Sequence, residues 1–224
     1  MNNLITIYLF KKKQNSSFYL LSILAILLAL LRVKATHSIF LLFLIWNLFL
    51  AYLPLIISSL LYHSKQNIRT ITKCLLLLLW ILLLPNTFYI LTDFEHLHYQ
   101  NQFQYVYDFI LLSCFTIAGF YAGIKSVYEI QTTFFNYYSK IIVNIGIICI
   151  SYLSAFGIYL GRILRFNSWN VIDKPIQLLN SILECLFLNE ALYYTFYLGT
   201  LILIVYTLYT YFTLKKQSII NINL

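Results

Sequence analysis

Apolar residues dominate this chain in long runs, and short polar stretches interrupt them at intervals. Six runs stand out, at residues 18–33, 39–62, 74–91, 107–124, 141–161 and 192–214. About 20 mainly apolar residues in a helix cross a hydrocarbon core of ~30 Å. None of the runs shows the every-second-residue polarity of a membrane β-barrel strand. The pattern therefore predicts an all-α fold, an integral membrane helical bundle of about six transmembrane helices forming a single multi-pass domain over 1–224. Between the fifth and sixth runs, Ile176, Leu179, Ile182 and Leu186 recur at spacings of three, three and four, with Gln177, Asn180, Ser181 and Glu184 opposite. That spacing predicts an amphipathic helix near 175–190, lying in the membrane interface.

Composition agrees. Charged residues make up 10% of the chain, against roughly 25% in soluble domains, and the mean hydropathy is +0.81. The net charge of +8 is scattered between apolar runs, with no basic arm or aromatic-interleaved patch, so nucleic acid is not an expected partner. Lys11, Lys12 and Lys13 precede the first run without a small-x-small cleavage site after it, which reads as an uncleaved first span. Cys74, Cys114, Cys149 and Cys185 contain no C-x-x-C pair, so the expectation is packing rather than disulfides or thiolate metal binding. Placing the N-terminus in the cytoplasm puts ten of the fifteen Lys and Arg residues inside and five outside, which predicts a plasma-membrane protein with both termini cytoplasmic. Six of the seven acids, all but Glu129, then lie at or beyond the outer face.

Small residues cluster in two spans. Gly119 and Gly123 lie four apart in the fourth, and Gly157 and Gly161 in the fifth. Such pairs let helix backbones approach closely. The favoured expectation is packing of span four on span five, and the alternative is a homo- or hetero-oligomer formed through these faces. Asn47 and Asn144 sit inside spans and are expected to hydrogen-bond between helices.

Two polar stretches are unusual for so apolar a chain. LPNTFYILTDFEHLH (84–98) holds two acids and two histidines within six positions. Pro85 should end or kink the third helix, with Asn86 and Thr87 meeting the freed backbone groups. Thr92 and Glu95 fit a capping box that would start a short helix carrying Asp93 with His96 on one face and Glu95 with His98 on another. Three readings stay open: a capped helix end, an acid/base or ion-pair site with Asp93, Glu95 and His96 as catalytic candidates, and a metal site. The H-x-H spacing splits its rings between faces and lacks the H-E-x-x-H pattern, so no metal is expected.

The second stretch is FGIYLGRILRFNSWN (156–170), with two of the chain's four arginines at i, i+3. A continuing helix would align Tyr159, Arg162, Arg165 and Trp169. They either anchor a helix end at the interface or form an anion clamp, because arginine forks match carboxylate and phosphate. Arg162 and Arg165 are expected to pair with Asp93, Glu95 or Asp108, since an unpaired charge near hydrocarbon is costly.

The two stretches also carry a resemblance. Pro85, Asn86, Tyr89, Thr92 and Asp93 with His96 and Leu97, together with Gly157 through Trp169, resemble a family of bacterial multi-pass membrane proteins catalogued as domain of unknown function 1361. The likeness extends from the second span onward. An aspartate often follows the tryptophan in that pattern, where this chain has Asn170, which moves any such role to Asp173. The family implies no activity. The leading expectation is a binding site for an anionic group, such as a lipid head group, built at the outer face from Asn86, Asp93, Glu95, His96, Arg162, Arg165, Asn167 and Trp169. The alternatives are a membrane-embedded enzyme acting at the outer leaflet, or a structural or assembly partner with no ligand site. No cofactor is expected. The expected partners are the bilayer and an anionic lipid or small anion.

Overall fold

A computed structural model describes the backbone of residues 2–63, 69–99, 101–135 and 138–222, and the side chains of 16, 18–63, 69–99, 101–135 and 138–215. Along the chain run α1 (Asn2–Thr36), α2 (Phe43–His63), α3 (Thr70–Leu83), α4 (Pro85–Tyr89), a 3₁₀ segment (Ile90–His96), α5 (Gln102–Phe134), α6 (Lys140–Arg162), α7 (Asn170–Asp173), α8 (Pro175–Cys185) and α9 (Asn189–Ile222). Among the described residues there is no strand. Helices satisfy every backbone group within one segment, which is what hydrocarbon demands.

Among the described residues, six helices are long and apolar enough to span, and each is longer than or offset from its apolar run: Phe18–Thr36, Phe43–His63, Thr70–His96, Gln102–Phe134, Lys140–Arg162 and Asn189–Lys215. Backbone hydrogen bonding carries helices past the last apolar residue into polar turns that hydropathy does not count. Of the lysines used for orientation, Lys11, Lys12, Lys13, Lys65 and Lys216 lie outside the residues whose side chains are described.

Pro85 alters the third span without ending it. Leu84 keeps helical angles (φ −55°, ψ −39°), and Pro85 occupies the first turn of α4, where its missing N–H costs little. The Thr87 hydroxyl donates to the Leu84 carbonyl (2.8 Å), as expected of a residue beside the break, whereas Asn86 reaches instead to Ser168.

The glycine pairs do not bring α5 and α6 together. Both receive α4, which lies between them. A Cβ on Gly119 would stand 2.8 Å from the Thr87 carbonyl oxygen, and one on Gly123 would collide with the Thr87 hydroxyl and the Phe88 ring. On α6, a Cβ on Gly157 would stand 2.6 Å from Pro85, and Gly161 faces the Tyr89 ring. The packing is thus within the chain, but with α4 as the partner of both spans.

Two apolar clusters flank this element. One joins Trp80, Leu84 and Phe88 to Ile124, Ile158 and Ile202. The other joins Ile90 to Ala29, Leu44, Leu112 and Phe115. The Trp80 indole N–H donates to the buried Ser126 hydroxyl (3.1 Å).

Several local expectations fail for identifiable reasons. Thr92 caps no helix: its hydroxyl donates back to the Tyr89 carbonyl (2.7 Å), because the chain is still helical there and offers a carbonyl rather than free N–H groups. The caps that form are Asn101 on α5, accepting from the Gln104 N–H (2.8 Å), and Ser139 on α6. Asn144 is exposed and has no hydrogen bond to another helix among the described residues. Cys74 and Cys149 are exposed rather than packed, while Cys185 is buried.

The close approach makes a direct prediction. Gly123→Ala should destabilise the protein by about 1–3 kcal/mol through overpacking. Gly146 has nothing within 4 Å of an added Cβ, so Gly146→Ala should be neutral or stabilising by up to about 1 kcal/mol. Thermal unfolding in mild detergent checks both, and equal melting of the two variants would count against the packing described.

Candidate functional site

The 3₁₀ segment sets the geometry of the first polar stretch. With three residues per turn, side chains at i and i+3 eclipse, so Ile90, Asp93 and His96 share one line and Thr92 and Glu95 another, while His98 lies beyond the segment, after the extended Leu97. Ile90 and Asp93 turn inward, Asp93 with 0% exposure, and Thr92 is buried as well, while the Glu95 side chain is 63% exposed.

A buried carboxylate in apolar surroundings requires partners, and Asp93 has two. The Asn47 amide of α2 donates to Oδ2 (2.8 Å). Arg162, the last residue of α6, donates from Nη1 to Oδ1 (3.3 Å). The same guanidinium donates from Nε and Nη2 to Glu95 Oε2 (3.1 and 3.0 Å) and lies over the Tyr89 ring (5.7 Å). Its Nη2 also lies 3.3 Å from His96 Nε2. A guanidinium has only donors, so His96 Nε2 accepts, and the ring proton sits on Nδ1. The ring packs edge-on against Phe43. One arginine, 11% exposed along its side chain, thus joins α6 to the broken third span, and Asn47 ties α2 to the same carboxylate.

Arg165 does not join it. The α6 helix ends at Arg162, and Arg165 takes a left-handed conformation (φ 60°) that reverses the chain, while the Phe166 N–H donates to the Leu160 carbonyl (3.0 Å). Arg165 is exposed. The expected face of Tyr159, Arg162, Arg165 and Trp169 is therefore broken: Tyr159 is buried, and Trp169 is 49% exposed in the loop.

Asp108 pairs with neither of those arginines. Arg32 at the end of α1 grips it with two bonds, Nε to Oδ1 (2.6 Å) and Nη2 to Oδ2 (3.0 Å), and both residues are buried. Beside this pair, the Tyr107 hydroxyl donates to the Leu28 carbonyl (2.7 Å). Arg32 was legible in the sequence only as a charge at the matching end of its span.

Next to the Arg162 cluster lies a cleft of about 480 Å³, which shares Asn47 and Tyr89 with it. Its polar rim consists of Asn86, Asn167, Ser168 and Trp169, and its wall consists of apolar residues of α2, α3, α6 and α8. The Asn86 amide donates to the Ser168 hydroxyl (3.3 Å), which donates to the Leu82 carbonyl (3.4 Å). Asn170 Oδ1 accepts the Asn167 N–H (2.6 Å) and shapes the rim loop. Asp173 is exposed. Among the described residues, no aspartate or glutamate lines the cleft.

A second polar cluster lies toward the other end of the bundle, where Glu129 accepts from the hydroxyls of Ser58 (2.7 Å) and Ser59 (2.8 Å) and stands 3.7 Å from Lys125. Among the described residues, no three His, Cys, Asp or Glu side chains gather as metal ligands would. Cys185 is packed against Tyr159 and Ala191; burial raises its thiol above the usual range, which disfavours the reactive thiolate.

Arg162→Met should destabilise the protein by about 3 kcal/mol, because it leaves Asp93 buried without its cation. The double variant Arg162→Met/Asp93→Leu should recover much of that loss. Unfolding midpoints for both singles and the double form a cycle, and additive losses would remove the pairing from the account.

A family model described as "Protein of unknown function (DUF1361)" matches residues 46–205, more than half of the chain. No curated protein and no solved structure matches the chain.

Proposed function

The chain belongs to that family of unknown function, and we propose that within it this multi-pass membrane protein binds an anionic group, such as a lipid head group, in the cleft beside Arg162. The observation that carries the reading is the cleft itself. Its volume of about 480 Å³ lies within the usual range of ligand sites, which combine apolar walls with a few polar groups that orient the ligand. The rim supplies amide, hydroxyl and indole donors and no acid. Arg165, one residue before the cleft-lining Phe166, supplies an exposed cation with no ion-pair partner among the described residues.

The roles within the proposed set differ accordingly. Asn86, Asn167 and Trp169 contact the head group and Arg165 carries the charge. Arg162, already opposed by Asp93 and Glu95, holds the wall in place with those two acids and His96. The site faces the outer leaflet of the plasma membrane, with cytoplasmic termini, a reading supported by the excess of lysine and arginine in the segments at the opposite face. The enzyme alternative loses Asp93 as a base in contact with substrate, because that carboxylate has no exposed surface; Glu95 and His96 are then its remaining acid/base groups. The assembly alternative is weakened because α4 covers both glycine pairs.

The decisive variant is Arg165→Gly. It removes the charge, and glycine adopts φ 60° without the steric cost of a side chain, so stability should be kept or improved. Mass spectrometry of lipids co-purified in mild detergent should find anionic lipid enriched on the native chain over the host membrane. That enrichment should fall about fivefold or more in Arg165→Gly, a change of about 1 kcal/mol. Absence of enrichment on the native chain would sink the proposal.

A further inference from the structure

The cleft is much deeper than its polar rim, and its lower part faces a different solvent. It follows α6 from Gly161 down to Leu153, about 12 Å along the helix axis at 1.5 Å per residue. Among the described residues, the walls of that lower reach are apolar, Ile81, Leu153 and Phe156. Two of these residues are well exposed, Leu153 at 53% and Ile81 at 42%, and both lie inside helices long and apolar enough to span the membrane. At that depth an opening between α3 and α6 meets the hydrocarbon of the bilayer rather than water.

Helix α8 contributes to the wall of the same cleft. Leu178 and Ile182 face the cleft, while Ile176, Leu179 and Leu183 on the adjoining strip of the same helix are exposed. At 100° per residue Gln177, Asn180, Ser181 and Glu184 occupy the remaining arc. The helix thus presents one strip to the protein, one to lipid and one to water.

We infer that the occupant of the cleft is a membrane lipid whose acyl chain enters sideways between α3 and α6 beneath α8 and fills the lower reach, while its head meets the rim. This rests on the head-group reading above and selects its source: a lipid, not a water-soluble phosphate. A small hydrated ion would leave about 12 Å of apolar channel without an apolar partner, whereas a lipid already in the leaflet can place its chain there without leaving hydrocarbon.

The test uses the full chain in phosphatidylcholine vesicles doped with phosphatidylglycerol bearing a diazirine on its acyl chain. After irradiation, mass spectrometry should place α6 adducts at Leu153, Phe156 and Leu160 about fivefold above Ile145 and Ile148, which are exposed on the same helix and report ordinary annular lipid; that ratio corresponds to about 1 kcal/mol of preference. Excess unlabelled phosphatidylglycerol should suppress the cleft adducts, and glycerol phosphate should not. Uniform labelling along α6, or suppression by glycerol phosphate, overturns the inference. Equal cleft labelling by diazirine-bearing phosphatidylcholine leaves the acyl-chain site standing and overturns the anionic head-group reading instead.

Discussion

A carboxylate with no exposed surface, set near the end of a membrane span, has to be met by donors, and much of the organisation of this bundle follows from how Asp93 is met. The side chain enters the interior because the third span tightens into a 3₁₀ segment that eclipses it with Ile90 and His96. Asn47 comes to it from α2 and Arg162 from the end of α6, so three separate stretches converge on one group. Glu95 and Tyr89 hold the other edges of the same guanidinium. Beneath them, glycines on α5 and α6 admit the α4 backbone to the depth at which these contacts are made. Close packing and charge pairing depend on each other here: a larger residue at Gly123 or Gly157 displaces α4, and with it the carboxylate.

The spans were legible because hydropathy reports directly on what hydrocarbon tolerates, and their ends were not, because helices continue into polar turns. The convergence of Arg162 with Asp93 and Glu95 was also legible, since few charges were present and an unpaired one is costly. Arg165 was not. The stretch RILRFNSW contains no glycine to mark a reversal, so periodicity extends the helix across a residue that in fact turns left-handed. Thr92 and Glu95 failed as a capping box for a related reason: T-x-x-E has the same spelling whether the preceding residues are helical or free. The glycine pairs announced close packing, but the partner was α4, an element too short for any periodic pattern to reveal.

Arg32 and Asp108 show a limit of a different kind. Lying 76 residues apart, they carried no local signal linking them. Their pairing satisfies the same rule as Arg162 and Asp93 at the same end of the bundle, so two arginines fasten two groups of helices: Arg32 ties α1 to α5, and Arg162 ties α6 to the broken third span. The cleft lies beside the second pair and borrows Asn47 and Tyr89 from it. Its rim is uncharged, and the cation nearest in sequence is Arg165, which departs from the helix. The electrostatics that hold the protein together are therefore separate from the groups left facing the cleft.

The separation along the chain also has a temporal side. Asp93 and Arg162 lie 69 residues apart, and a ribosome adding about 5–20 residues per second takes about 3–14 seconds to cover that distance. During that interval the third span is complete and its carboxylate can meet Asn47, already made, but not its cation. The same holds for α4, whose second glycine wall, on α6, does not yet exist. The nascent bundle of α1 to α5 is therefore an open half with one acidic group facing an unfilled side, and translation of the fifth span both neutralises that group and closes the wall.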